Sequence, residues 1–489
     1  MTDPTGPWAS ATDIADAISK GTVRATAVAE AALARIGEAN PVLGAYTDVT
    51  GERALAMAAA VDDAVAAGRP VGALAGVPFA VKNLYDVAGL PTRAGSRINC
   101  ERAPAAADAV LVQRMAAAGA VLLGTLNMGE YAYDFTGENA HDGPCRNPHD
   151  PRRMSGGSSS GCGAATAAGL APVSLGSDTN GSLRVPASLC GVFSLKPTYG
   201  RLPRTGTFPF VDSLDHLGPF ARSARDLAVA YDALQGPDAG DPGCGQLPPA
   251  PAAPRLGARQ RLRFGLLGGW FHANAGEEAR AAVARVADAL KPDAEVGVLR
   301  LDEAEAGRAA AYLITNAESA DFHLRRLRAR AADFDPDTRD RFLAGALLPA
   351  AWVARARRVR HWWLERALAA FHRFDLLVAP ATPCPAPLAG AKTLALAGRN
   401  LPLRPSLGLL ATPFSCIGLP VATVPLFGDD PMPVGVQLVA RPWREHVCLQ
   451  AAHLLEQAGA AGASPPVAWS HLTPDTGGLH PDERPLVGA

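Results

Sequence analysis

Short apolar segments that alternate with Ala-rich helical segments along most of the chain constrain its fold most strongly. Helices are predicted over 9–70, 109–118, 164–170, 277–290, 303–372 (broken near Asp335 and Pro336) and 446–458. Strands are predicted over 76–82, 120–123, 171–176, 262–267, 296–301, 376–379, 421–424 and 434–439. This order of elements, with no repeat at a fixed period, predicts one large α/β domain.

Charge and composition exclude several classes of partner. The 489 residues contain 46 Lys and Arg against 47 Asp and Glu, so the net charge of −1 gives no basis for binding nucleic acid or an anionic membrane. No apolar run is long enough for a membrane span, and Met1–Ser10 has no signal-peptide pattern, so we expect a cytoplasmic protein. The eight Cys residues are scattered without a C-x-x-C pair, which indicates reduced thiols and no zinc site.

A Gly/Ser-rich segment over 154–163 is the main compositional anomaly. Gly157, Ser159 and Gly161 satisfy the G-x-S-x-G pattern of a hydrolase nucleophile elbow, but the turn-rich approach over 147–153 lacks the strand that this elbow needs. A dinucleotide fingerprint at Gly161 and Gly163 is equally weak, since it follows a loop. With no H-E-x-x-H, Walker A or EF-hand pattern, we predict neither a cofactor nor a metal ion.

Two Gly/Ser loops, over 155–161 and 177–182, flank one short helix and one strand. Glycines expose backbone N–H groups that can form an oxyanion hole, and the hydroxyls need a nearby base to become nucleophilic. Lys82, at the end of an apolar strand, would lose solvation and could act as a neutral base. Taken singly, each feature has an ordinary alternative: a flexible linker, or a strand-end Lys that reaches solvent.

Several motifs in register resemble those of the amidase signature family, over nearly the whole chain to Leu438. They are Gly76-Val-Pro-Phe-Ala-Val-Lys-Asn83, Gly156-Gly-Ser-Ser159, Gly176-Ser-Asp-Thr-Asn-Gly-Ser182, Leu195-Lys-Pro-Thr-Tyr-Gly-Arg201 and Ser213-Leu-Asp-His-Leu-Gly-Pro219. The resemblance implies a mixed central sheet covered by helices on both faces. The chain then divides into an N-terminal helical segment (1–70), the amidase signature core (71–235), a Pro/Gly-rich connection (236–260), a second half that completes the sheet and pocket (261–464), and a flexible tail (465–489).

The resemblance also implies a Ser–cis-Ser–Lys triad. Ser182 would be the nucleophile, Ser158, after a cis peptide from Gly157, the bridging hydroxyl, and Lys82 the base. The backbone N–H groups of Thr179, Asn180, Gly181 and Ser182 would form the oxyanion hole. The family usually has Gly where this chain has Asn180. Ser160 and Cys162 likewise replace residues that are more common in the family signature. Cys162 is an alternative nucleophile, which its position disfavours.

The segment over 337–360 resembles the substrate-facing helices in the catalytic chain of glutamyl-tRNA amidotransferases. There, an Arg that matches Arg360 holds the glutamine carboxylate, while the acid that pairs with the glutamine amino group should fall near Gly408, where this chain has none. The resemblance therefore implies a small anionic amide without an α-amino group. Arg341 and Arg357 are the next candidates for the carboxylate.

Three further segments resemble the branch of the family that hydrolyses 1-carboxybiuret to urea-1,3-dicarboxylate in cyanuric acid breakdown. They are Gly137-Glu-Asn-Ala-His-Asp-Gly-Pro-Cys-Arg-Asn147, Ala379-Pro-Ala-Thr-Pro-Cys384 and Thr412-Pro-Phe-Ser-Cys-Ile-Gly-Leu-Pro420. That branch implies a hetero-oligomer with two catalytic chains and a small helical partner subunit. A general amidase, a glutamyl-tRNA amidotransferase-like catalytic chain and a non-catalytic member of a complex remain alternatives.

Overall fold

The computed structural model describes residues 3–258, 261–292, 294–428 and 431–466, so the predicted tail lies outside the described residues from residue 467 onward. The helices are α1 Ala11–Ser19, α2 Ala25–Leu43, α3 Gly51–Ala66, α4 Val110–Ala117, α5 Ser160–Ala167, α6 Arg184–Cys190, α7 Ala224–Leu234, α8 Trp270–Ala273, α9 Glu277–Leu290, α10 Ala304–Arg330, α11 Pro336–Ala346, α12 Ala350–Ala370, α13 Leu403–Ser406, α14 Thr412–Cys416 and α15 Glu445–Gln457. The strands are β1 Tyr46–Val49, β2 Pro78–Lys82, β3 Val121–Leu126, β4 Arg146–Asn147, β5 Asp150–Met154, β6 Val173–Asp178, β7 Phe193–Lys196, β8 His216–Ala221, β9 Arg263–Leu267, β10 Glu295–Leu299, β11 Leu376–Pro380, β12 Thr393–Leu396, β13 Arg399–Pro402, β14 Val421–Leu426 and β15 Val434–Ala440.

One mixed sheet of eleven strands organises the described chain, in the order β1-β3-β2-β6-β8-β7-β14-β15-β11-β9-β10. β2 is parallel to both β3 and β6, whereas β6 is antiparallel to β8. Every residue of β2, β6 and β8 is buried, so both faces of the central sheet are covered. The predicted α/β fold with a mixed central sheet is confirmed.

The two halves of the sequence share this sheet. β7 from the first half pairs with β14 from the second, with Ser194 opposite Thr423. The predicted connection between the halves is packed against the first half rather than free, because Asp241 pairs with Arg204 and the Gly245 N–H donates to the Gly200 carbonyl at 2.7 Å. Neither half can therefore complete the sheet alone.

Most predicted elements are present, and the differences have local causes. β1 interrupts the helical stretch predicted over 9–70. The long helical stretch breaks where expected: the Asp335 side chain caps α11 by accepting the Asp337 N–H at 2.9 Å, and Pro336 fills the first helical position. β7 and β8 are not among the predicted strands, since β7 is four residues long and β8 contains Gly218 and Pro219.

The sheet brings the chemistry-bearing residues to one edge. Lys82 is the last residue of β2 and Asp178 the last of β6, and because these strands are parallel neighbours their carboxyl ends lie side by side. In the parts of the chain that the structure describes, no helix has the length and apolar character needed to cross a bilayer. A cytoplasmic location stays a prediction.

Candidate active site

Lys82 is fully buried at the carboxyl end of β2. Its Nζ lies 2.7 Å from Ser158 Oγ and 2.9 Å from Ser177 Oγ, and no carboxylate among the described residues lies within ion-pairing distance of it. Burial lowers the pKa of the Lys82 amine to about 7. A large fraction of the amine is therefore neutral near pH 7 and able to accept a proton.

Ser158 follows a cis peptide bond from Gly157, as the family resemblance implied. The residue is fully buried just before α5, and its carbonyl accepts the Gly129 N–H at 3.2 Å. Gly157 is packed tightly, since a Cβ there would lie 3.1 Å from the Gly137 backbone nitrogen. The loop thus holds the Ser158 hydroxyl against the Lys82 amine.

Ser182 lies in the loop between β6 and α6 and is 3% exposed. Its hydroxyl has no hydrogen-bond partner among the described residues. It lines a small cavity together with Ala132, Tyr133, Asp134, Phe135, Thr179, Asn180, Phe210, Tyr312, Arg341 and Pro405. The free hydroxyl therefore belongs to the wall of a space in which a small molecule could bind.

The backbone around Ser182 provides an anion-binding group. Within the described chain, the N–H groups of Thr179, Asn180 and Ser182 have no acceptor, and all three residues line the cavity. Gly181 differs from the sequence-based prediction: its N–H donates to Asp178 Oδ1 at 2.8 Å and is not free for an oxyanion. Asn180 lies outside the left-handed region of φ, so its Cβ needs no glycine-like backbone.

An internal ion pair holds this loop. Asp178 and Arg184 are fully buried and contact each other through two hydrogen bonds of 3.0 Å. The Asp178 carboxylate also accepts the Leu183 N–H at 3.1 Å and the Ser415 hydroxyl at 2.8 Å. Burial raises the pKa of Asp178, but Arg184 outweighs burial and holds it below the usual value, so the carboxyl is ionised.

The two alternative nucleophiles are engaged in the core. Ser159 Oγ donates to the Ser177 carbonyl at 3.0 Å and accepts the Ser177 N–H at 3.2 Å, so the elbow serine fixes β6 instead of facing the cavity. The strand β5 does precede it, but only as one arm of a two-stranded hairpin with β4. Burial raises the pKa of the Cys162 thiol to about 12, which disfavours a thiolate.

The cation that lines the cavity is Arg341, not Arg360. Arg341 stacks on the Tyr133 ring at 3.9 Å and donates to the Asp337 carbonyl at 2.8 Å, and in the described chain no carboxylate pairs with it. Arg360, the first candidate from the sequence, lies half-buried on α12 near Cys416 and is absent from the lining. Arg357 is exposed beside Glu318, 3.3 Å away.

The cavity has no free acid for an ammonium group among the described residues. Asp134 lines it, but its carboxylate pairs with Arg404 and accepts the Gly137 N–H at 2.7 Å. Gly408 lies near the position where an amidotransferase would have its acidic residue. A Cβ on Gly408 would lie 2.4 Å from the Phe135 ring. The aromatic ring thus occupies that side of the cavity. No cluster of three or more His, Cys, Asp or Glu side chains within the described ranges could hold a metal ion.

Comparison with known proteins agrees with this geometry. The family model described as Amidase matches residues 27–449, most of the chain. The chain belongs to the amidase family. This amidase is 52% identical to AtzE, a 1-carboxybiuret hydrolase subunit of Pseudomonas sp. (strain ADP), over 452 residues, which cover 92% of this chain and 98% of AtzE. It is 33% identical to the A subunit of the glutamyl-tRNA(Gln) amidotransferase of Koribacter versatilis, across 91% of this chain and 97% of that one.

Solved structures show the same relationship. An s-triazine catabolic enzyme, described with a vestigial protein complex, superposes on this amidase with a TM-score of 0.91 at 52% identity, covering 93% of this chain and 100% of the other. A crystal structure of another amidase gives a TM-score of 0.83 at 32% identity, over 92% and 99% of the two chains. The predicted resemblance to the family and to its carboxybiuret-hydrolysing branch is confirmed.

Sequence reasoning missed two groups at the site of this amidase. Ser177 is the second hydroxyl on the Lys82 amine, and the Asp178–Arg184 pair fixes the loop around Ser182. Asp178 and Arg184 are six residues apart in the sequence, on either side of Ser182. A charged pair that brackets a glycine-containing loop at the end of a buried strand is the signal that could have identified them.

Replacing Arg184 by Met should destabilise this amidase strongly, because it leaves the Asp178 carboxylate buried without a counter-charge. The expected loss is about 3–5 kcal/mol of unfolding free energy, measured as a fall in the midpoint of thermal or urea unfolding. Arg300→Met is the matched control, because the Arg300–Asp302 pair is exposed and should contribute little. Equal shifts for the two variants would contradict the central role of the buried pair.

Proposed function

We propose that this amidase uses Ser182, Ser158 and Lys82 to release ammonia from a small carboxylated amide, 1-carboxybiuret, and forms urea-1,3-dicarboxylate. The observation that carries the proposal is a cavity that combines the free Ser182 hydroxyl, three unpaired backbone N–H groups and the Arg341 guanidinium without an acid partner among the described residues. The 52% identity to a 1-carboxybiuret hydrolase subunit supports the choice of substrate.

The chemistry begins with proton transfer along the hydroxyls. The neutral Lys82 amine accepts the Ser158 proton across 2.7 Å. Ser158 in turn accepts the Ser182 proton, once the two hydroxyls come into hydrogen-bond contact in the substrate complex, as Ser182 Oγ attacks the carbonyl carbon. The N–H groups of Thr179, Asn180 and Ser182 stabilise the oxyanion. Ser158 then returns a proton to the leaving nitrogen, ammonia departs, and an acyl group remains on Ser182. Water attacks this ester by the same relay and releases the carboxylate product.

Ser177 keeps the base in place during this cycle. Its hydroxyl accepts a hydrogen bond from the Lys82 amine at 2.9 Å, which leaves the nitrogen lone pair free for Ser158. The side chain of Thr179 donates to Asp215 at 2.5 Å, and this contact orients the backbone of the first oxyanion donor. Ser177 and Asp215 thus position the reacting groups without lining the cavity.

The charges around the cavity favour an anionic amide over glutamine. Arg341 donates to the Asp337 and Tyr133 carbonyls through Nε and Nη2, so its Nη1 is the donor that remains for a charge-assisted bond to a carboxylate. Arg404, in contrast, is already neutralised by Asp134 and Asp337. Because Asp134 is occupied in this way, an α-ammonium group would find no counter-charge among the described lining residues. 1-Carboxybiuret has a carboxylate and no ammonium, and it fits both conditions.

Lys82 should act as a neutral base with a pKa of about 7. The protonated amine cannot accept the Ser158 proton, so kcat/KM should rise about tenfold per pH unit below 7 and level off above it. Lys82→Ala and Lys82→Arg should both lose about a hundredfold to ten-thousandfold in kcat, since a guanidinium stays protonated. Steady-state ammonia release across pH 5.5–9 measures the profile.

Lys196 provides the control for this pH profile. It is another fully buried lysine whose pKa burial lowers to about 7, but it donates to the Leu419 carbonyl at 2.5 Å and contacts no serine of the site. Lys196→Met should keep the rise of kcat/KM with pH below 7. If that variant loses the rise of kcat/KM with pH, or if Lys82→Arg keeps a near-normal rate, Lys82 is not the base.

A serine-directed phosphonate should label the protein once, at Ser182. Labelling at Ser159 or Cys162 would refute the nucleophile assignment.

Arg341 should select the carboxylated substrate. Arg341→Leu removes a charged partner from a half-buried site, which costs about 2–5 kcal/mol by analogy with paired charges at interfaces, or roughly a thirtyfold to several-thousandfold loss of kcat/KM. The loss should affect 1-carboxybiuret and spare biuret, which has no carboxylate. The measurement is ammonia release from 1-carboxybiuret, biuret, glutamine and simple amides.

Arg360→Leu decides between the two arginines in the same assay. If this variant, rather than Arg341→Leu, narrows the preference for 1-carboxybiuret over biuret, the assignment from the sequence holds. Equal loss of both substrates in Arg341→Leu would make Arg341 a structural residue. A wild-type preference for glutamine would favour an amidotransferase-like activity, and a preference for uncharged amides would favour a general amidase. No ammonia release from any substrate would indicate a non-catalytic member of a complex.

We also propose the partner implied by the family branch: a small helical subunit, in an assembly with two catalytic chains. The relative at 52% identity is itself named as one subunit of its enzyme, and the similar s-triazine enzyme is described with a protein complex. A groove of about 290 Å³ between α10 and α12, lined by Leu313, Trp352, Ala356 and Val359 among others, could accept one face of a helix. Trp352 is 56% exposed in this groove.

Co-expression of this chain with small neighbouring gene products should give a complex whose mass, measured by light scattering, contains two copies of the chain. Trp352→Glu should break the complex, because it places a charge in the apolar groove. Trp362→Glu is the matched control, since Trp362 is exposed on the same helix but does not line the groove. A fully active monomer, or equal behaviour of the two variants, would contradict the proposed docking.

A further inference from the structure

Asn180 has a side-chain oxygen that the proposed reaction does not yet use. The residue is 6% exposed and lines the cavity beside Ser182. Its Nδ2 donates to Thr315 Oγ1 on α10 at 2.8 Å, whereas its Oδ1 is buried without a hydrogen-bond partner in the described part of the chain. A buried acceptor without a partner is unfavourable and rare in native proteins, and it calls for a physical explanation.

The Asn180 side chain is held from several directions. Its Nδ2 donates to Thr315 on α10, and the backbone carbonyl of Asn180 accepts the Thr412 hydroxyl of α14 at 2.9 Å. The backbone on its C-terminal side is fixed by the bond from the Gly181 N–H to Asp178. With the amide nitrogen bonded to Thr315, Oδ1 is the polar side-chain atom of Asn180 that has no partner among the described residues.

We propose that Asn180 Oδ1 accepts the N–H on the non-leaving side of the scissile carbonyl, and thereby selects ureides over amides of carbon acids. This inference rests on the proposed function and names the bond pattern that the site recognises. In a ureide, the carbonyl carbon lies between two nitrogens, and the retained nitrogen carries a hydrogen. In an ordinary amide, that position is a carbon, which cannot donate to Oδ1.

The location of Asn180 suits this task. Its backbone N–H is one of the three donors without an acceptor in the described chain that stabilise the carbonyl oxygen, so its side chain starts beside the reacting carbonyl. The substrate carboxylate is assigned to Arg341 and the reacting carbonyl oxygen to the backbone N–H groups, so neither of these groups needs Oδ1. Without an N–H from the substrate, Oδ1 stays desolvated in the complex, and this unpaired state is the source of the discrimination.

Biuret and malonamide test the inference, because they differ only by N–H or CH₂ between the two carbonyl groups. The quantity to compare is the ratio of kcat/KM for biuret to that for malonamide in each enzyme form. Differences in intrinsic reactivity then cancel, as does any general effect of a variant on the oxyanion hole. Asn180→Leu, which keeps the approximate size and removes the acceptor, should lower this ratio about tenfold to a hundredfold relative to wild type.

Two further variants separate recognition from simple packing. Asn180→Asp keeps an acceptor oxygen and should keep a ratio well above that of the Leu variant. Thr315→Val removes the group that orients Nδ2, with little change in volume, and should lower the ratio even if Asn180→Leu does not fold. Phosphonate labelling of Ser182 shows that each variant retains a working nucleophile.

The outcomes distinguish this inference from the proposed function. If wild type hydrolyses these substrates and Asn180→Leu and Thr315→Val leave the ratio unchanged, the role of Asn180 is refuted and the proposed function stands. If the ratio falls in Asn180→Asp as far as in Asn180→Leu, an acceptor oxygen at this position does not account for the discrimination, and the inference is refuted. If wild type releases ammonia from neither 1-carboxybiuret nor biuret nor malonamide, both proposals fail.

Discussion

The buried ion pair between Asp178 and Arg184 is the interaction on which the site depends. The Asp178 carboxylate binds the Gly181 and Leu183 N–H groups, so it shapes the turn that presents Ser182. Arg184 extends the same network to the Ala411 carbonyl and to Gln437 Oε1, at 2.7 Å each. One charge pair thus connects the end of β6 to α6, α14 and β15, and the geometry of the nucleophile depends on all of them.

The same pairing explains how a buried lysine can serve as a base. Acidic side chains lie near Lys82, and they would keep its amine protonated if they were free. Asp178 is neutralised by Arg184 and Asp134 by Arg404. With these charges balanced, burial dominates at Lys82 and lowers its pKa. Burial and the pairing of the surrounding acids thus favour the neutral amine, while Ser158 and Ser177 hold it in place.

The sequence predicts well what is local and poorly what depends on the orientation of helices. Lys82, Ser158 and Ser182 lie within short motifs, and the alternation of elements suffices for an α/β sheet. The sequence does not predict that Arg341 rather than Arg360 lines the cavity, because the lining depends on how α11 and α12 are rotated around their axes. Gly181 was included among the free donors since its engagement by Asp178 requires the folded loop. β7 and β8 were not assigned because they are recognisable only by their neighbours in the sheet.

The arrangement of the sheet has a consequence for synthesis on the ribosome. All three residues of the proposed triad have been translated by residue 182, but Arg184 binds Gln437, which lies 253 residues further along the chain. At about 5–20 residues per second, that partner follows after roughly 10–50 seconds. During this interval the nascent chain carries Asp178 and Arg184 without the network that will enclose them, and β7 lacks β14 as its neighbour. The emerging N-terminal half thus exposes the edge of β7, and the reactive loop matures only after Gln437 has been synthesised.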